Sequence, residues 1–257
     1  MSVEYVDFET AKVRDGLRMI VVSGIPSPWG EAAKGIFQTK KLPFVAVRYN
    51  PGDHDAVAWS GGHKSAPVVV YNDEAPRWDW QSILLLAERL APAPALLPAD
   101  TADRALVFGL AHEICGEMGL GWCRRNSSVR SGLAGGPGFP EPIARYLAGK
   151  YGYREEEGAL YDRRVVDILT LLSARLKAQR EAGSKYYVGN SLTALDIYSA
   201  TFMVLFGALP EEHCPMPPPL REGFSAVDDT TKAALDPILR EHRQYIYETH
   251  LELPLSL

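Results

Sequence analysis

Hydrophobic residues fall along this chain in two different rhythms. Leu17 to Val22 is an apolar run rich in β-branched residues, the mark of a buried strand. A turn-rich loop follows, Ser23 to Gly30, and from Pro28 to about Thr39 the residues Trp29, Ala32, Ala33, Ile36 and Phe37 recur at helical spacing. Phe44 to Val47 reads as a second strand. Strand, helix and strand form a β-α-β unit, which favours parallel pairing and a right-handed crossover. Met1 to Asp15 reads as a polar, irregular arm in front of it, with the ordered core starting at about residue 17. Residues 50 to 66 read as a long connection or an irregular helix. Val68 to Tyr71 is a third strand, Asn72 to Glu74 a turn before a short edge strand, and Ile83, Leu86, Ala87 and Leu90 mark one face of a further helix.

The strand rhythm stops at Ala91-Pro-Ala-Pro-Ala-Leu-Leu-Pro98, whose alternating prolines exclude a helix interior and favour extended chain. This places a linker at residues 93–97, between an α/β domain over residues 1–92 and an all-helical domain over residues 98–257. Helices are expected from Asp103 to about Cys123, Glu141 to Lys150, Ala159 to Arg180, Thr193 to Leu209 and Thr230 to Thr249. Gly132 to Pro142 reads as a loop and Pro215 to Pro219 as a stiff proline run.

Composition narrows the function. The 257 residues are 46% hydrophobic and 23% charged, ordinary globular proportions. The net charge of −5 gives no general electrostatic reason to bind nucleic acid. No apolar stretch reaches the roughly 18 residues of a membrane span, and the first 25 residues mix charges with apolar positions, so neither a span nor a signal peptide is expected. Cys115, Cys123 and Cys214 form no CxxC pair and read as reduced thiols of a cytoplasmic protein. The six histidines form no tight ligand pair, so no metal site is expected.

Two short segments carry candidate chemistry. Ser27-Pro28 is a helix-start signal, with serine as a favoured N-cap and proline tolerated at the first helical position. Such an N-terminus offers free N–H groups and a partial positive charge, which stabilise an anion. A thiolate is such an anion, and the Ser27 hydroxyl aimed at it adds a hydrogen bond that lowers the thiol pKa. The bland alternative is that Ser27 only caps the helix. Ser65-Ala66-Pro67 leads the third strand. Its proline is either a plain trans residue or a cis one that turns the preceding backbone outward to pair with a peptide-like ligand.

In this order and spacing the segments resemble the glutathione transferase family, over about residues 17 to 245. Ser27-Pro28-Trp29-Gly30 stands where thioredoxin relatives carry Cys-Pro-Tyr-Cys and where serine- or cysteine-type transferases keep their catalytic residue. Ala66-Pro67 stands at the family's Val-Pro, whose first residue pairs with the cysteinyl backbone of glutathione. Gly189 to Asp196 is similar to the family's Gly-x-x-x-Thr-x-Ala-Asp, with Leu195 at the alanine position. There Thr193 caps a buried helix and Asp196 returns the bond. The resemblance implies a thioredoxin-like N-terminal domain, a helical C-terminal domain and a homodimer.

It also implies an enzyme that activates the glutathione thiol for attack on a small apolar electrophile. Ser27 would be catalytic, and Trp29, Lys64, Ala66, Pro67, Asp79 and Trp80 would bind glutathione. Asp79-Trp80 departs from the family's Glu-Ser or Gln-Ser, which holds the γ-glutamyl group. The carboxylate still suits the ammonium of that group, but an indole replaces the hydroxyl. A shifted register would use Gln81-Ser82 and put Glu88 and Arg89 at apolar positions. Lys64 would meet the glycyl carboxylate. Trp122, Tyr186, Tyr187, Tyr198, Phe202 and Phe206 are candidates for an acceptor pocket or for core. Arg124 and Arg125 are expected near a helix end, where they suit the dipole, with a role in ligand binding as the less favoured reading. A non-catalytic protein of the same fold is the alternative, supported by Trp80. A thioredoxin-type reductase is disfavoured because no cysteine stands at the helix start.

Overall fold

The computed structural model describes residues 3–49 and 52–257. Its first half runs β1 (Glu4–Tyr5), α1 (Phe8–Val13), β2 (Leu17–Val22), α2 (Pro28–Thr39), β3 (Phe44–Tyr49), α3 (His54–Trp59), β4 (Val68–Tyr71) and α4 (Trp80–Leu90). The irregular arm expected over residues 1–15 is corrected over its described part. Asp7 caps α1 by accepting from the Thr10 N–H at 2.7 Å, and β1 pairs with β3. Elements this short are invisible to a periodicity argument. In the connection from 50 to 66, residues 50 and 51 lie outside the described residues, and the rest contains α3, capped by Asp53.

The sheet order is β1-β3-β2-β4. β2 and β3 pair in parallel from Leu17–Phe44 to Val22–Tyr49, as the β-α-β pattern implies, and β4 runs antiparallel to β2. The expected edge strand is a single bridge between Val69 and Arg77. Met19, Val21 and Val69 cluster with Ile36 and Phe37 of α2 and Leu84 of α4 on one face. On the other, Ile20, Tyr49 and Val68 pack with Phe8 of α1 and Trp59 of α3. Cover on both faces is why β2 reads as a continuous apolar run.

Beyond α4 the chain turns helical. The Lys40 ammonium, at the end of α2, donates to the carbonyls of Ala91 and Pro94 at 2.6 and 2.7 Å, and Glu88 accepts the Leu96 N–H at 2.9 Å. The proline-rich stretch is thus pinned by buried charge, and its Leu96 and Leu97 sit in the core. Then come α5 (Thr101–Cys115), α6 (Leu120–Leu133), α7 (Glu141–Tyr151), α8 (Gly158–Glu181), α9 (Ala194–Phe202), α10 (Pro218–Ser225), α11 (Asp229–Ala234) and α12 (Pro237–His250). No helix among the described residues is long and apolar enough to cross a membrane.

Three expected helices need correction. The one from Asp103 to Cys123 is two, α5 and α6. Met118 between them has φ 56°, a conformation no right-handed helix continues through, and a Cβ on Gly119 would meet backbone carbonyl oxygens at 2.7 to 2.9 Å. The one from Thr193 to Leu209 ends its α-helical part at Phe202 and finishes as a 3₁₀ turn at Phe206. The one from Thr230 to Thr249 breaks before Pro237, which opens α12 with Asp236 as its cap. The proline run at 215–219 is corrected too, because α10 starts inside it at Pro218. The capping box of α9 is present: Asp196, fully buried, accepts from the Thr193 N–H at 2.8 Å, the Tyr187 N–H at 2.9 Å and His242 at 3.1 Å.

Candidate functional site

A cavity of about 620 Å³ lies between two walls, a volume within the ordinary range for ligand clefts. Ends of β2, α2 and α4 and the chain leading β4 form one wall, while α5, α6 and α7 form the other. Ser27, Trp29, Ala66, Pro67, Asp79 and Trp80 all line it. Lys64 does not: it stands exposed on the loop after α3, beside His63, whose ring stacks on Trp78 at 3.4 Å.

The start of α2 has the free groups that an anion needs. The Ser27 carbonyl accepts the Glu31 N–H at 2.8 Å, but the Ser27 hydroxyl makes no capping bond. Pro28 has no N–H, and the N–H groups of Trp29 and Gly30 have no backbone partner among the described residues. A hydroxyl and two amides therefore stand unoccupied at the positive end of a 12-residue helix. On the same wall is the Ala66–Pro67 peptide, which is cis. Ala66 continues the line of β4 past the last ladder pair, Ile20–Val68, so its N–H and C=O have no backbone partner among the described residues.

Asp79 is the N-cap of α4, accepting the Ser82 N–H at 2.8 Å and the Ser82 hydroxyl at 2.6 Å. A carboxylate offers about four lone-pair positions, so this exposed group keeps room for another donor. The Trp80 ring is mostly buried, edge-on to Tyr198 at 5.4 Å, and the Tyr198 hydroxyl donates to the Trp80 carbonyl at 3.1 Å. Trp29 bridges the two walls. Its indole N–H donates to the Cys115 carbonyl at 3.0 Å, and its ring meets Phe202 edge-on at 4.7 Å.

Of the aromatic residues considered for an acceptor pocket, Trp122 lines the cavity, whereas Tyr187, Tyr198, Phe202 and Phe206 are core and Tyr186 packs against Tyr245 and His250. Cys115 also reaches the lining, but burial pushes its thiol well above the ordinary range, which makes it inert as a nucleophile.

The far wall corrects one reading of the sequence and adds residues of α7 that the sequence did not single out. Arg124 and Arg125 lie inside α6 rather than at a helix end, because the real helix begins at Leu120. Arg124 is structural, donating to the Leu205 carbonyl at 3.1 Å and to Ser128 at 2.8 Å, and burial lowers its pKa to about 10. Arg125 faces the cavity with Trp122, and Lys150 faces it from α7 with Ile143, Tyr146, Leu147 and Tyr151. These positions recur three and four residues apart, a signal that was present once α6 and α7 were correctly bounded.

No protein-family model and no curated protein sequence matches the chain. Solved structures do. A glutathione transferase from Methylobacterium radiotolerans in complex with glutathione sulfonate superposes with a TM-score of 0.59 at 18% identity, over 94% of this chain and 97% of that one. One from Methylobacillus flagellatus with glutathione bound gives 0.61 at 14% identity, over 91% and 95%. A rice glutathione transferase in complex with glutathione gives 0.58 at 19%, over 94% of each chain. The chain therefore has the glutathione transferase fold, a thioredoxin-like unit followed by a helical one.

Proposed function

We propose that this protein is a glutathione transferase-like enzyme of the serine type. Glutathione lies along Ala66-Pro67, its sulfur at the start of α2, with Trp29, Asp79 and Trp80 in contact and residues 1–92 as its binding domain. The observation that carries this reading is the unoccupied Ser27 hydroxyl beside the free N–H groups of Trp29 and Gly30. Three donors on one point favour a thiolate over a thiol. The thiolate then forms a C–S bond to an electrophilic carbon, and the leaving group departs with its electron pair, or that pair moves into a conjugated acceptor and is protonated. Residues 98–257 supply the acceptor wall, with 93–97 as linker. The same reading carries a cytoplasmic homodimer, which sizing at about twice the 28.3 kDa chain mass would support.

A non-catalytic binder of the same fold is the second reading, favoured by the Trp80 ring being committed to packing rather than to a ligand. Calorimetric titration with reduced glutathione tests the ligand. Micromolar to low-millimolar binding supports it, and an absence of heat together with an unmoved melting temperature overturns it. Thiolate absorbance of bound glutathione across a pH titration separates the two readings. A lowered thiol pKa marks the enzyme, and an ordinary one the binder.

A further inference from the structure

The cavity carries two positive charges that no described residue pairs with. Arg125 makes no ion pair and no hydrogen bond among the described residues, and its Nε is buried without a partner. Its guanidinium lies 5.5 Å from the Trp29 ring centroid and 5.2 Å from that of Tyr151. The Lys150 ammonium lies 5.6 Å from the same Tyr151 ring and 6.0 Å from that of Tyr146, and it too is unpaired among the described residues. Both cations thus lie within 6 Å of one phenol ring. Lys150 is open to solvent through the cavity mouth, yet desolvation first and the Arg125 charge second lower its pKa to about 8.

The carboxylates of the lining do not relieve this. Asp79 and the exposed Glu117 make no ion pair with either cation among the described residues. His112, the remaining titratable side chain of α5 in the lining, is exposed. Some exposed cations of this chain do have carboxylate partners, as Arg145 does in Glu141 at 2.5 Å and Arg180 in Glu241 at 2.8 Å. A guanidinium left with a buried, unbonded N–H is a costly arrangement for stability alone. It suits a ligand oxyanion, which the planar fork can take in two parallel hydrogen bonds. Around the cations the wall is apolar and aromatic, with Trp122, Tyr146, Tyr151, Phe139 and Ile143.

Resting on the transferase reading of the same cavity, we infer that Arg125 and Lys150 form an anion subsite, and that the acceptor is an aromatic or otherwise apolar molecule bearing a carboxylate or comparable oxyanion. The apolar body lies against the rings and the oxyanion between the two cations. The tail carboxylates of glutathione share this chemistry, so the test must tell the two sources apart.

The probes are 2-naphthoate and its neutral counterpart 2-naphthamide, titrated against tryptophan fluorescence with and without saturating glutathione. Glutathione itself is titrated calorimetrically in the unaltered protein, Arg125→Met and Lys150→Met. The expected result is that naphthoate binds about tenfold or more tightly than the amide, a charge-assisted hydrogen-bond margin, with glutathione present as well as absent. Each variant brings the ratio towards one by weakening naphthoate only. Equal affinities for acid and amide in the unaltered protein overturn the proposal without need of any variant. So does competition between glutathione and naphthoate with a matching loss of glutathione affinity in Arg125→Met, which would assign the charges to glutathione. Naphthoate preference with no glutathione binding would sink the transferase reading and leave the anion subsite standing.

Discussion

The Lys40 ammonium and the Glu88 carboxylate meet at 2.6 Å beneath the proline-rich stretch, with the lysine side chain fully enclosed and the glutamate nearly so. This pair joins the end of α2, the end of α4 and the chain between the sheet unit and the helices. Removing one member of a buried pair leaves an uncompensated charge. Lys40→Met is therefore expected to lower unfolding stability by about 3–5 kcal/mol. It also frees the Ala91 and Pro94 carbonyls. The exposed Lys12–Glu9 pair at 3.3 Å is the control, and Lys12→Met should change stability by less than about 1 kcal/mol. Urea unfolding of the two variants side by side decides it; equal effects would refute the special role of Lys40.

Ser27→Ala removes a hydroxyl that makes no structural bond. Turnover with glutathione and an acceptor should fall by about tenfold or more, with the thiol pKa of bound glutathione moving up. Melting temperature should hold, since no cap is lost. Full activity in the alanine variant would take Ser27 out of the mechanism.

Gly121 lies where α6 meets the far edge of the Trp29 indole. A Cβ there would stand 2.5 Å from the Phe202 ring and 2.9 Å from the Trp29 ring. Gly121→Ala is expected to cost about 1–3 kcal/mol as overpacking, despite the better helix propensity of alanine. Because Trp29 lines the cavity, its fluorescence should shift in the same variant. A variant as stable as the parent, with an unchanged spectrum, would show that the rings move aside freely.

Lys150 gives a pH signature. Its pKa is lowered from the ordinary lysine value to about 8 by desolvation and by Arg125. The unfolded chain thus holds this proton more tightly than the folded one. Below about pH 8 both states are charged and the fold carries the full penalty. As pH rises from 8 towards the ordinary lysine range, the folded group neutralises first and the penalty is relieved. The parent should therefore gain stability relative to Lys150→Met between pH 8 and pH 10, read as the difference between their urea midpoints. A constant difference would mean that solvent at the cavity mouth keeps the ammonium at its ordinary pKa.

The wall carrying Ser27 and Ala66-Pro67 was legible in the sequence because its signals are local. Ser27-Pro28 announces a helix start, Ala66-Pro67 leads a strand, and the run from Leu17 to Val22 alternates with α2 closely enough to give the parallel β2–β3 pair. The Thr193–Asp196 capping box is equally local. The wall of α6 and α7 was less legible, because Arg125 takes its meaning from where α6 starts. That start depends on a positive φ at Met118 and close backbone contacts at Gly119, which no hydrophobic period records. Lys64 and Trp80 illustrate the limit of matching by position. Lys64 holds its place in the motif while standing exposed outside the cavity lining, and Trp80 lines the cavity while its ring also packs on Tyr198.

The cavity's walls descend from separate stretches of chain, and Trp29 alone stitches them by a hydrogen bond from one to a backbone carbonyl of the other. A carbonyl acceptor is indifferent to side-chain identity. Substitutions on the cavity-facing sides of α6 and α7 therefore leave this one link between the walls intact, so that the lining can change its chemistry without the hinge of the cleft coming undone.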